Sequence, residues 1–234
     1  MPLIQPLSSH TRRSKRTRFL LKNPKRLAVA ERGRGCGMLA FDIETFGLDP
    51  KKVKITVICT ECIFTGERKT FEFARHDAEV GGAPTALVAD LVATLDAAQS
   101  LSAFNGIRFD LPFMQVALGI PEATVRAWVL KTTDILECCR LVHGHTFKLD
   151  LLCETNGMPM KSGTGLFAIQ LAREGRWDEL NAYCADDVAI LCNLHRQQLL
   201  TNPRTQKKMD LAEWSHPLLY DTLAALGMEE HDDV

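Results

Sequence analysis

The stretch Met38-Leu39-Ala40-Phe41-Asp42-Ile43-Glu44-Thr45 decides how the rest of the chain is read. Met38–Ile43 is a short apolar run carrying a carboxylate, the composition of a central β-strand. Side chains alternate along a strand, so Asp42 and Glu44 share a face. Two like charges on one face repel unless a cation lies between them. A solvated face would tolerate bare acids, but Leu39, Ala40, Phe41 and Ile43 give this strand a buried composition, in which such acids are costly. The pair therefore suggests a metal site.

Outward from that strand, Val53–Cys59 is β-branched and Arg68–Ala74 alternates, with Phe71 and Phe73 on one face. Turn residues Gly47, Asp49, Pro50 and Gly66 fill the gaps, so three antiparallel strands are expected in succession. Pro84–Gln99 then switches to the helical period. A brief strand is expected at Ser102–Asn105, a helix at Asp110–Leu118 and a fifth strand at Lys131–Leu136. Leu149–Glu154, Leu166–Arg173 and Trp177–Leu200 read as helices, the last with a long apolar stripe. This order predicts a three-layer α/β domain.

Two more segments carry acids. Asp110 follows a strand and opens a helix, where an aspartate also serves as an N-cap. Tyr183 and Asp187 lie four apart on the last helix and share a face, although Asp186 leaves that assignment ambiguous by one residue. Taken together, Asp42, Glu44, Asp110 and Asp187 are oxygen ligands suited to Mg²⁺ or Mn²⁺. Two such ions about 3.5–4 Å apart can clamp the attacking water and the leaving oxygen of a phosphodiester. Tyr183, one turn from Asp187, is placed to orient that water.

The segments FDIETFGL, FNGIRFDLPF and YCADD resemble the three motifs of the DnaQ-like (DEDD) 3′-5′ exonucleases, in the order DxE, NxxxFD and YxxxD. The likeness covers roughly residues 38–200 and implies a ribonuclease H-like fold, with a mixed sheet of about five strands flanked by helices. It points to the tyrosine branch, which includes the proofreading domains of family B DNA polymerases and small stand-alone relatives. Tyr183 lies four before Asp187, whereas Ala182 occupies both the position four before Asp186 and the one five before Asp187, where the histidine branch has His. By this resemblance Asp42, Glu44, Asp110 and Asp187 hold two Mg²⁺ or Mn²⁺ ions, and Tyr183 positions the water. Asn105, Phe109 and Thr45 would then meet the 3′-terminal nucleotide. Phe46 departs from the pattern, standing where a small hydroxyl residue is frequent.

The implied activity is release of 5′-mononucleotides from nucleic-acid 3′ ends, with single-stranded DNA favoured over RNA as substrate. Its rivals are a silent binding module of the same fold, an exoribonuclease and an endonuclease. No polymerase domain accompanies the motifs, so a separate polymerase, helicase or repair partner is the expected context.

Charge divides the chain further. Residues 1–37 hold ten Lys/Arg and one acid, a net +9, while the rest carries −10. The basic segment reads as a disordered arm: a phosphate-contacting tail, a nuclear or organelle address, or a leader ahead of a start at Met38. Residues 201–234 read as a tail with a short helix through Leu218–Leu226. No apolar run approaches the roughly 18 residues of a membrane span, so a soluble, cytoplasmic protein is expected unless the arm is an address. The eight cysteines are expected as reduced thiols. Cys59 and Cys62 have the spacing of half a zinc site, with no second pair to complete it.

Overall fold

A computed structural model describes residues 37–73, 83–160, 163 and 165–211. Strands β1 (Met38–Thr45), β2 (Ile55–Cys62), β3 (Arg68–Glu72), β4 (Ser100–Ala103) and β5 (Thr132–Asp134) form one mixed sheet in the order β3-β2-β1-β4-β5. β1 pairs antiparallel with β2, and β2 with β3, as the short turns imply. β4 and β5 run parallel to β1, because a helix intervenes before each. The carboxyl ends of β1, β4 and β5 therefore open on one edge of the sheet.

The helices are α1 (Thr85–Ala97), α2 (Asp110–Leu118), α3 (Glu122–Leu130), α4 (Ile135–His143), α5 (Leu149–Thr155), α6 (Gly165–Arg173) and α7 (Trp177–Gln197). Period-two alternation sorts β1 between two cores. Leu39, Phe41 and Ile43 pack with α1, α2 and α3, around Leu91, Leu111 and Trp128. Ala40 faces the opposite way, into a second core with Leu180, Tyr183, Val188 and Leu191 of α7. The sheet is thus sandwiched between helical layers, the expected α/β plan. Asp42 and Glu44 follow Ala40 in phase and fall on the α7 side.

Three helices differ from expectation. α3 follows Pro121, and its Val125, Trp128 and Val129 are buried at a helical spacing that the sequence reading passed over. Lys131–Leu136 holds only a three-residue strand, because the Asp134 carboxylate accepts the N–H groups of Leu136 and Glu137 and caps α4. α7 stops at Gln197, where Gln198 takes φ 59°, and Leu199–Thr201 pairs as β6 with β7 (Lys208–Asp210). Leu200, Met209 and Leu211 of this hairpin close the second core. The basic arm before Gly37 and the expected helix at Leu218–Leu226 lie outside the described residues. Among the described residues, no helix is long and apolar enough to cross a membrane.

Candidate metal centre

Three carboxylates from two elements converge beside β1. Ligand atoms of Asp42, Glu44 and Asp187 all lie within 4.8 Å of one another. β1 supplies the first two by alternation, and α7 supplies the third by packing across that face. Asp187 is buried while Asp186 is exposed, so the helical register selects Asp187. Three acids this close repel one another unless a cation lies between them. An all-oxygen anionic donor set of this kind fits a hard divalent cation of the Mg²⁺ or Mn²⁺ type.

α7 also builds the wall of the centre. Tyr183 is buried one turn before Asp187, and its ring meets Phe167 of α6 edge-on at 6.0 Å. The Cys184 thiol lies 3.6 Å from the Asp42 carbonyl and 4.0 Å from its carboxylate Oδ2, packing the strand against the helix. Burial pushes that thiol well above its ordinary pKa, so it stays neutral beside the acids.

Asp110 stands apart from the three-carboxylate cluster. Its Oδ1 accepts the Ile43 N–H at 3.2 Å, which ties the start of α2 to β1. Burial, reinforced by the Asp134 charge, pushes Asp110 up to about 7, against the opposing effect of the backbone donors. The loop that delivers it packs very closely. A Cβ on Gly106 would lie 2.5 Å from Ala103 Cβ, 3.3 Å from Phe41 Cζ and 3.6 Å from Asp110 Oδ2.

The remaining expected contacts have structural ties of their own. Asn105 sits in the left-handed region at φ 70°, and its N–H donates to Asp134 at 2.9 Å. Phe109 is half-buried, 5.5 Å from Phe113. The Thr45 hydroxyl donates to the Gly47 carbonyl at 2.5 Å and fixes the turn after β1.

Sequence reasoning missed Asp134. Its two oxygens accept the N–H groups of Asn105 and Ile107 as well as the two that cap α4. One buried carboxylate thereby holds both the loop carrying Asn105 and Asp110 and the start of α4. Four backbone donors suit its charged form, yet burial is the larger influence and raises its pKa. An aspartate just before an apolar run is a cap signal, but its long-range partners have no local trace.

The cysteines separate into two groups. Cys59, Cys138, Cys139, Cys153, Cys184 and Cys192 are free and buried, as expected of reduced thiols. Cys62 differs: it is disulfide-bonded. Cys59 contacts Thr70 and the Asn181 carbonyl, and no cysteine joins a potential metal-binding group among the described residues. The Cys59/Cys62 spacing therefore does not form half a zinc site here.

A central mixed sheet with carboxylates on β1 and on the last long helix defines a ribonuclease H-like domain. The family model described as RNase_H superfamily matches residues 39–157, just over half of the chain, and the chain belongs to that family. Among solved structures, the family B DNA polymerase of the hyperthermophilic archaeon Pyrobaculum calidifontis is similar over 68% of this chain and 24% of its own, at 18% identity and TM-score 0.54. The chain thus spans about a quarter of that polymerase, and the likeness is one of fold. A nuclease solved in its apo form aligns over 90% of this chain and 93% of its own, at 20% identity and TM-score 0.49. E. coli exonuclease I in complex with a dT13 oligonucleotide aligns over 80% and 43%, at 16% identity and TM-score 0.44. A search of curated proteins finds no significant match. The family membership agrees with the motif resemblance to DnaQ-like exonucleases.

Proposed function

We propose that this chain is a 3′-5′ exonuclease of the tyrosine branch, acting on single-stranded DNA ends and releasing 5′-mononucleotides. The observation that carries the reading is the convergence of Asp42, Glu44 and Asp187 within 4.8 Å, from two elements far apart in sequence. Asp42, Glu44 and Asp187, with Asp110 at the mouth of α2, would hold two divalent cations, Mg²⁺ or Mn²⁺. Bound there, the cations would supply an activated water and charge stabilisation at the leaving 3′ oxygen.

The chain's own groups do the rest. Tyr183 orients the attacking water through its hydroxyl, one helical turn from Asp187. Asn105, Thr45 and Phe109 border the pocket for the terminal nucleotide, and Phe109 offers a ring edge against which a splayed base can rest. The sandwich of β1 between two apolar cores fixes the carboxylates, so that little reorganisation accompanies the reaction.

The test is hydrolysis of 5′-labelled single-stranded DNA and RNA of matched sequence with Mg²⁺, Mn²⁺ or EDTA. A metal-dependent ladder that shortens from the 3′ end, faster on DNA, is expected. Tyr183→Phe should slow turnover by roughly 10² while leaving metal affinity intact. Faster loss of RNA would reassign the substrate, and internal cuts would replace the exonuclease by an endonuclease. Intact substrate with retained binding would leave a non-catalytic module.

A further inference from the structure

The segments that follow β4 and β5 at the carboxyl edge of the sheet carry an arginine pair that none of the roles above uses. Arg108 lies in the loop after β4, between Asn105 and Asp110. Arg140 lies on α4, after β5. Both direct the same edge of their guanidinium at one residue, Glu137. Arg108 donates from Nε to Glu137 Oε2 at 2.9 Å and from Nη2 to Oε1 at 3.2 Å. Arg140 donates from Nε to Oε2 at 2.9 Å and from Nη2 to Oε1. The Glu137 side chain is 5% exposed, whereas those of Arg108 and Arg140 are 39% and 34% exposed.

One arginine is enough to neutralise Glu137. The second leaves the cluster with a net charge of +1 on a body that otherwise carries a large acidic excess. The Nη1 of each arginine has no hydrogen-bond partner among the described residues. Two guanidiniums locked in place by a buried carboxylate lose little side-chain freedom when an anion arrives. Asp134 then anchors this pair to the centre, since it accepts the N–H groups of Asn105 and Ile107 on either side of Gly106.

Position supplies the ligand. β1, β4 and β5 are parallel neighbours in that order, so their carboxyl ends share one edge. Ligands of open α/β sheets sit outside that edge. With strands about 4.8 Å apart, β5 lies only about 10 Å from β1, within reach of a bound oligonucleotide. We infer that Arg108 and Arg140, held by Glu137, form a phosphate subsite for a nucleic-acid strand whose 3′ end occupies the carboxylate centre. This rests on the exonuclease reading for the polarity of the strand, not for the contact itself.

The experiment measures binding apart from hydrolysis. Fluorescence anisotropy of a 5′-labelled oligothymidylate is followed against salt with Ca²⁺ as the only divalent cation, for the wild type, Arg108→Gln, Arg140→Gln and the double variant. Losing one phosphate contact on a single strand lowers the slope of log affinity against log salt by about 0.7, so the double variant should lose about 1.4. In Mg²⁺, KM should rise several-fold in each variant while kcat stays within about twofold. Should the double variant fail to fold, either single variant carries the same test through its slope. Glu137→Gln, which keeps both cations, should retain the wild-type slope.

An unchanged slope in folded Arg→Gln variants would overturn the subsite and leave the trio a purely structural ion network. A fall in kcat at unchanged KM and slope would overturn it as well. Failure of the exonuclease reading looks different: the wild type would not shorten the strand, yet the slope difference between variants would persist.

Discussion

Asp42, Glu44 and Asp187 bring three carboxylates within 4.8 Å of one another on a largely buried face, and like charges this close oppose one another when no cation lies between them. Asp187→Asn removes one charge while keeping shape and much of the hydrogen-bonding capacity. In EDTA this variant should melt a few degrees above the wild type, since about 1 kcal/mol moves Tm by roughly 2–4 °C at this size. Its Mg²⁺-dependent hydrolysis should fall by about 10³ or more, because a charge that develops at the leaving oxygen loses its anchor. A lower metal-free Tm in calorimetry would mean that Asp187 serves the fold first. His195 gives a separate signature. Its ring meets the Ser102 hydroxyl at 2.6 Å between α7 and β4, and burial lowers its pKa from 6.5 to about 4. The folded protein therefore resists protonation that the unfolded chain accepts below pH 6.5. This contribution to stability is complete above pH 6.5 and is lost as pH falls toward about 4, by on the order of 3 kcal/mol. Urea midpoints at pH 7 and 4.5 should differ more in the wild type than in His195→Gln.

At the scale of elements, the loop from Asn105 to Asp110 connects the sheet to the site through close packing. Gly106 has no room for a Cβ, which would sit 2.5 Å from Ala103 Cβ. Gly106→Ala must push the loop away from Ala103 at the end of β4, and with it the Asp110 carboxylate that accepts the Ile43 N–H. The variant should lose about 1–3 kcal/mol of stability and at least tenfold in kcat, while an alanine at exposed Gly165, which meets no atom within 4 Å, should change kcat little. Equal activities would show that the loop adapts. These elements also show what the sequence could and could not disclose. The β1 acids were legible because strand period and apolar neighbours are both local. Asp187 was separable from Asp186 only through the YxxxD resemblance, and burial of Asp187 beside exposed Asp186 agrees with it. Asp134 and Glu137 were not, because their meaning lies in partners about 30 residues away: Asn105 and Ile107 for the first, Arg108 for the second. The ends of β5 and α7 were misjudged for a related reason. A cap at Asp134 and a left-handed Gln198 override an apolar pattern that simply continues.

Across the whole molecule, the candidate metal centre joins the sheet layer to a helical layer: Asp42 and Glu44 belong to β1, and Asp187 to α7. A cation bound by all three would cross-link the two layers and oppose the repulsion that their charges build up. Because the unfolded chain disperses these ligands over about 145 residues, it binds the cation far more weakly than the native state does. Linkage then sets the size of the effect: at a hundredfold excess over Kd, binding adds about 2.7 kcal/mol to stability. At this chain length that corresponds to roughly 5–10 °C in Tm. Titrating Mn²⁺ into the EDTA-treated protein under calorimetry should therefore raise Tm progressively, with the whole transition moving as one. Asp42→Asn/Asp187→Asn should abolish the shift, whereas Tyr183→Phe should leave it in place, since its hydroxyl is assigned to water and not to metal. A wild-type Tm indifferent to Mn²⁺ and Mg²⁺ would mean that the three carboxylates do not hold a cation without nucleic acid. The same titration with an oligonucleotide present would then decide whether the metal arrives with the substrate.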